Sequence, residues 1–466
     1  MLEAPQRARL WKQLADILEN YAASVHTRRV TPDLDPERIR AVLAPFDFEK
    51  PRDPFEMVEF AARQLSEWQT HTPHPRYYGL FNPAPATMGI AADTLVAAFN
   101  PQLAAWAHSP LAVEIERHLI RALGGRFGYD AASTDGTFAS GGAEANHTAL
   151  VAALTRAFPE YPVKGVRALA AQPVFYASAE CHHSFQKAAR ITGIGQEAVR
   201  TVAVDGELRM SPAALRKQIA EDRAAGLAPF LIAGTAGTTN AGAIDPLEEL
   251  AAIASQEKLF YHVDAAWGGA AALAAPLRGL IAGIERADSI TFDAHKWLSV
   301  PMGAGVFLTR HKDLLHAAFR TPTAYMPKEA AAFDVIDPHL HSMQWSRRFI
   351  GLKVFLSLTV AGWEGYEKAI LHMTEMGNRL RGKLEENGWE VLSRPPLPVL
   401  CFVDRCGADP RKVAAEVVAS GEAWISTTIL GGNKLTLRAC ITNYRTGPED
   451  VDALIVSLDR ARAKAA

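Results

Sequence analysis

The stretch PFLIAGTAGTTNAGAIDPLEELAAIASQEKLFYHVDA, residues 229–265, decides the fold. Two short apolar runs, PFLIAG (229–234) and LFYHVDA (259–265), flank a helical pattern that Asp245-Pro246 opens. Strands this apolar are buried on both faces, and a helix between two of them is the crossover that parallel pairing requires. The alternation extends in both directions. PVFYAS (173–178) and VRTVAV (199–204) come before it, and SITF (289–292) and GVFLT (305–309) after it. Helical patterns fill the gaps at SFQKAARITG (184–193) and from Ser211-Pro212 to near Gly226. The expectation is an α/β fold, a mostly parallel sheet between helices, with functional residues just past the strand C-terminal ends.

Outside this block the pattern changes. Leu10, Leu14, Ile17, Leu18 and Tyr21 share one helical face, and more helix is expected at about 54–69. Neither face has a local partner, so an N-terminal helical arm (1–75) should pack on another domain or subunit. Ser109-Pro110 should open a helix that Gly124-Gly125 closes. After an irregular segment (318–345), long helices over 346–360 and 364–387, strands at 389–393, 399–403, 424–429 and 434–441, and a last helix from Pro448 suggest a small C-terminal α+β domain, 346–466. A large domain spans 76–345. The formal net charge of −2 gives no reason to expect nucleic acid or an anionic membrane as partner. No apolar run approaches the roughly 18–20 residues needed to cross a bilayer. The opening MLEAPQRARLWKQL lacks a signal-peptide core. Cys181, Cys401, Cys406 and Cys440 have no metal-ligand spacing and suit a reducing cytoplasm; no metal is expected.

Four features fall at expected strand ends. In ASGGAEANHTALVAAL (139–154), Ser140, Gly141 and Gly142 precede a helix and let backbone N–H groups approach an anion, although a Gly-Gly helix start is often only structural. In HVDAAWGG (262–269), Asp264 closes an apolar strand, where a carboxylate is costly unless paired; the alternative is a helix N-cap. His182, in SAECHHSFQKAA (178–189), could stack on a flat ring or simply pack. Lys296, in TFDAHKW (291–297), follows Asp264 by 32 residues, past the next strand. Together these are a phosphate cradle, a counter-ion, a stacking ring and an amine. An aldehyde-bearing pyridine phosphate needs all four.

The ordered series HPRYYGLFNP (74–83), SGGAEAN (140–146), HHSFQKAA (182–189), GTAGTTNAGAIDP (234–246), HVDAAWGG, DAHKW (293–297), RRFIGLKVF (347–355) and LRACITN (437–443) resembles the group II pyridoxal-phosphate-dependent decarboxylases, which act on aromatic amino acids, glutamate, diaminobutyrate and related substrates. The resemblance implies a type I aminotransferase-like fold with a seven-stranded, mostly parallel sheet, and a cytoplasmic homodimer with shared active sites. It implies decarboxylation of an L-amino acid to the amine and CO2 through a Schiff base and a quinonoid intermediate. Lys296 becomes the Schiff-base lysine, Asp264 the partner of the pyridine nitrogen and His182 the stacking histidine. Gly142 and Ala143, with Asp293 and His295, are implied at the phosphate, Ala266 at the cofactor, and Thr238 or Thr239 near the ring oxygen. His74, Phe81 and Arg438 are implied on the substrate side, Arg438 for a carboxylate or else in a structural ion pair.

The chain departs from the family pattern in two places. Ala143 replaces a hydroxyl residue common in relatives. The loop tyrosine that many members carry about nine residues before the RRF motif is absent; the matching position here is Pro338. His339 and His341 are the nearby proton donors, and Tyr325 more readily matches a different, structural position. On an extended loop the two histidines would face opposite sides, so one of them should point at the substrate. The alternatives are an oxidative reaction that gives an aldehyde, and a catalytically silent scaffold member. Gln102 and Ala104, in NPQLAAW, are smaller and more polar than aromatic-specific relatives carry there.

Overall fold

A computed structural model of the protein describes residues 2–321, 333–393 and 397–465. Its large sheet has seven strands: β1 (Asp135–Ala139), β2 (Pro173–Ser178), β3 (Val199–Val202), β4 (Ala228–Thr235), β5 (Phe260–Asp264), β6 (Ser289–Asp293) and β7 (Gly305–Thr309). They lie in the order β1-β7-β6-β5-β4-β2-β3, and only β7 runs antiparallel to its neighbours. Strands β2, β5, β6 and β7 are buried throughout, which accounts for their mostly apolar composition. A second, antiparallel sheet holds β8 (Trp389–Val391), β9 (Val399–Asp404), β10 (Ser426–Leu430) and β11 (Lys434–Cys440), in the order β10-β11-β9-β8. Its strands lie close to their expected positions.

Three elements differ from expectation. β1, DGTFA, was not expected as a strand, because Asp-Gly is a turn signature. It pairs with β7, and Gly136 is required where its Cα lies against the carbonyl oxygen of Phe307. The helix opened by Ser109-Pro110 runs over Pro110–Arg126, straight through Gly124 and Gly125, and stops before Gly128, which has φ +85°. Glycine at 124 serves packing, since a Cβ there would lie 2.5 Å from Thr134 Cγ2. Asp245 precedes the helix Leu247–Glu257 without capping it. Its buried carboxylate turns back to accept from Met210 N at 2.7 Å and Thr235 N at 2.8 Å.

The N-terminal helices Ala4–Ser24 and Pro54–Trp68 contain no buried residue. Between them the chain is strapped to the small sheet's helix: Val30 N donates to Gly421 O at 2.7 Å, and Thr31 Oγ1 to Val418 O at 2.8 Å. Among the described residues no helix is long and apolar enough to cross a membrane.

Candidate active site

The parallel strands end together, and the residues beyond those ends meet. Asp264 is the last residue of β5 and Asp293 the last of β6; His182 follows β2, Thr238 follows β4, and Gly142 follows β1. Antiparallel β7 begins at the same edge, where Gly305 pairs with both Ala139 and Asp293. A side chain on Gly305 would come within 2.6 Å of the Gly141 backbone, so glycine keeps the cradle loop tight against the sheet.

Lys296 lies one turn past β6. Its Nζ is 3.1 Å from Asp293 Oδ2 and 5.7 Å from the centre of the Phe81 ring. Asp293 Oδ2 also lies 3.8 Å from His295 Nε2, while its Oδ1 is buried with no hydrogen-bond partner. His295 Nδ1 accepts from Ala304 N at 3.2 Å, and burial lowers its pKa.

Asp264 accepts at both oxygens, from Asn146 Nδ2 at 2.8 Å and from Ala266 N at 3.1 Å. The second bond closes a turn at the strand end and caps no helix, since the 3-10 helix that follows, Gly268–Leu273, has no side-chain cap. His182 is held by Ser184 N, which donates to its Nδ1 at 3.2 Å. Its pKa is lowered chiefly by burial, with Asp264 opposing and Lys296 reinforcing the shift, so the ring is neutral and lies in the field of both.

At the cradle, Gly142 and Ala143 are the first residues of the helix Gly142–Ala157, whose opening N–H groups have no intrahelical acceptor. A Cβ on Gly142 would lie 2.9 Å from Asp293 Oδ2 and 3.2 Å from Ala266 Cβ. Ala143 is exposed. Glu144 Oε2 accepts from Ser140 N and Oγ at 2.8 and 2.6 Å, while its Oε1 accepts from Gln344 Nε2. Gln344 thus links the segment before the RRF motif to the cradle, a contact no sequence signal announced.

On the substrate side, Phe81 stacks on Trp267 at 4.7 Å between ring centres and lies under both Lys296 and Arg438. Arg438 is buried without an acidic partner among the described residues. Its Nε donates to Thr239 O and Asn240 O at 3.0 and 3.2 Å, its Nη1 to Gly79 O at 3.1 Å, and its Nη2 has no acceptor. The structural ion pair considered from sequence is therefore not what holds it. Thr238 Oγ1 is committed to a turn, accepting from Ala243 N at 3.0 Å. Thr239 is half-buried.

The remaining candidates lie elsewhere. His74 accepts from Arg76 N at 2.9 Å and sits near Asp450, and burial pulls its pKa down to about 4; none of its hydrogen bonds reaches the Lys296 cluster. His339 and His341 are not on an extended segment. Pro338–Leu340 forms a 3-10 turn, held down where His339 N and Nδ1 bond Ala104 O at 3.1 and 2.9 Å. His341 Nε2 faces Asp135 Oδ2 at 3.5 Å. Asp135 begins β1, whereas the cradle follows its end, about 13 Å away along a five-residue strand. Within one chain neither histidine joins the site. Tyr325 lies outside the described residues. Sequence reasoning also missed Asn146, quoted only as part of the cradle motif. It lies one helical turn after Gly142, on the face turned to the sheet.

The residues present fit a pyridine phosphate that carries an aldehyde. The cradle excludes side chains, the lysine amine reaches inward, a carboxylate that each oxygen's single hydrogen bond holds in place lies beyond it with lone pairs to spare, and Arg438 has a donor without an acceptor. The conserved domain of pyridoxal-dependent decarboxylases matches residues 36–405. An aromatic-L-amino-acid decarboxylase of Bacillus atrophaeus is 32% identical over 98% of this chain and 95% of its own length. A human acidic amino acid decarboxylase is 31% identical over 79% of this chain and 70% of its own. The crystal structure of mouse CSAD in apo form superposes with a TM-score of 0.91 at 26% identity, over 98% of this chain and 99% of that one.

Proposed function

The chain belongs to the pyridoxal-dependent decarboxylase family and is a pyridoxal-phosphate-dependent amino-acid decarboxylase; on that premise we propose what its own residues do. When bound, pyridoxal phosphate supplies an electron-accepting ring that takes up the electron pair left as CO2 departs from an L-amino acid. Lys296 holds the aldehyde, and its ion pair with Asp293 orients the amine. Gly142 and Ala143 present backbone N–H groups to the phosphate, beside His295. Asp264, each oxygen held by one hydrogen bond, would partner the pyridine nitrogen, and neutral His182 would offer its ring to the cofactor. Ala265, Ala266 and Trp267 line this edge with apolar surface that keeps water away.

The substrate reading rests on one observation, the partnerless Nη2 of buried Arg438. An unpaired guanidinium donor in a buried site is costly, and a substrate carboxylate would satisfy it. The Phe81 face beside it receives the apolar part of the substrate. Arg438→Lys keeps the charge but loses the planar fork. It should raise KM about 10–100-fold, the effect of one charge-assisted hydrogen bond, with a smaller change in kcat. An unchanged KM overturns the assignment. The assay should be a panel of aromatic and acidic L-amino acids followed for CO2, amine, aldehyde and peroxide together. The product channels matter because Pro338 stands where relatives carry a tyrosine and both nearby histidines have local partners. That observation favours a second reading, in which O2 intercepts the decarboxylated species and aldehyde, ammonia and peroxide form.

The working protein is a homodimer in the reducing cytoplasm. Supporting this are the unburied apolar faces of the N-terminal arm and four cysteines that form no disulfide.

A further inference from the structure

Beneath Asp264 lies a buried chain of side chains that the roles above do not use. Asn146 Nδ2 donates to Asp264 Oδ2 at 2.8 Å and to Ser184 Oγ at 2.9 Å, which uses both of its protons. Its Oδ1 therefore faces His262 Nε2, 3.1 Å away. An amide oxygen can only accept, so His262 carries its proton on Nε2. That leaves Nδ1 as the acceptor for Ser289 Oγ, at 2.8 Å. Thr291 Oγ1 lies 3.4 Å from Nε2. All donors in the series Ser289, His262, Asn146 and Asp264 point the same way, and all four residues are buried. Burial lowers the His262 pKa to about 4, so the imidazole stays neutral and the direction of the chain is fixed.

We propose that Asn146 and His262 are positioning residues: His262 orients the Asn146 amide, and the Asn146 amide orients Asp264 toward the cofactor nitrogen. This rests on the role given to Asp264. His262 is hydrogen-bonded to Asn146 and not to Asp264, so the orientation it gives Asp264 passes through Asn146 and the effects of the two residues on that orientation are not independent.

The test titrates pyridoxal phosphate into apo-protein and records affinity and the ratio of the bound cofactor's absorbance bands at fixed pH, with circular dichroism as a folding control. Asn146→Ala should weaken affinity about 10-fold or more and change the band ratio, as loss of one charge-assisted hydrogen bond predicts. His262→Phe should do the same to a smaller extent. The double variant should lose no more than Asn146→Ala alone. His262→Gln, which keeps a side-chain N–H for Asn146, should restore most of the loss. Additive losses, or an Asn146→Ala protein with parental affinity and band ratio, overturn the proposal. If His262→Phe does not fold, Ser289→Ala replaces it at the far end of the chain under the same non-additivity criterion. Asp264→Ala separates the two levels. If it leaves affinity and bands unchanged, the reading of Asp264 fails; if it changes them while Asn146→Ala does not, only the present inference fails.

Discussion

Lys296 could have been a solvated charge near a strand end. Instead its amine contacts Asp293 and a phenyl face, and its side chain is only 23% exposed. That half-enclosed position suits the role proposed for it, the amine that holds the aldehyde. Lys296→Ala should fold, because it removes a side chain from a polar cleft and leaves no cavity in the apolar core. It should lose the visible absorbance of bound cofactor, the adduct trapped by borohydride, and turnover. A borohydride-trapped adduct of parental yield in that variant would place the amine elsewhere. Lys296, Asp264, His182 and Gly142 were legible in the sequence because each lies at or just past a strand end, and short continuous apolar runs mark the ends of strands buried on both faces. Asn146 was not legible, because its role depends on the angle at which a helix crosses the sheet. His339 and His341, which lie away from the site within one chain, were hard to place for a related reason. Two histidines on a loop carry no periodicity, and their partners, Ala104 O and Asp135, are far away in sequence.

At the scale of elements, the long helix after the RRF motif shows what spacing can and cannot reveal. Helices were expected over 346–360 and 364–387, and the structure has helical residues from Gly351 to Glu386, broken at Gly362, which has φ +65°. The start is set by tertiary contacts. Arg347 and Glu116, both almost fully buried, meet at 2.6 Å, and the other Glu116 oxygen accepts from Gly351 N at 3.0 Å. One carboxylate thus holds the incoming segment and caps the helix. Any side chain on Gly351 would collide with Glu116, within 2.5 Å of its Cγ. Breaking a buried ion pair by neutralising one partner leaves an uncompensated charge, at a cost of about 3–5 kcal/mol. Glu116→Gln should therefore lose about that much unfolding free energy, and denaturant unfolding of the apo-protein measures it. A loss below about 1 kcal/mol would mean that water already solvates Arg347 and that the pair contributes no more than an exposed one.

For the whole molecule, the arm is the element whose composition and surroundings disagree. Trp11 and Leu18, on the helix Ala4–Ser24, are 58% and 44% exposed, and Leu65, on the helix Pro54–Trp68, is 58% exposed. The two helices touch through Gln13, which donates to Phe55 O at 3.2 Å, and through Arg9, which lies 4.2 Å from the Phe55 ring centre. These contacts fix the helices to each other and leave their apolar faces to something outside the chain. The straps at Val30 and Thr31 hold the base of the arm against the small sheet's helix, so the arm cannot fold back over the large sheet without breaking them. In the dimer proposed above, a second copy would supply the missing surface symmetrically, each arm covering its partner. Trp11→Asp combined with Leu18→Asp adds two charges to that face at positions outside the buried core. Light scattering of the parent should then give about twice the 50.6 kDa chain mass. The doubly substituted protein should shift toward the single-chain mass, with unchanged far-ultraviolet dichroism and with turnover falling as the dimer is diluted. A parent that is already monomeric, or a variant that keeps the parental mass at nanomolar concentration, would leave the arm without this role.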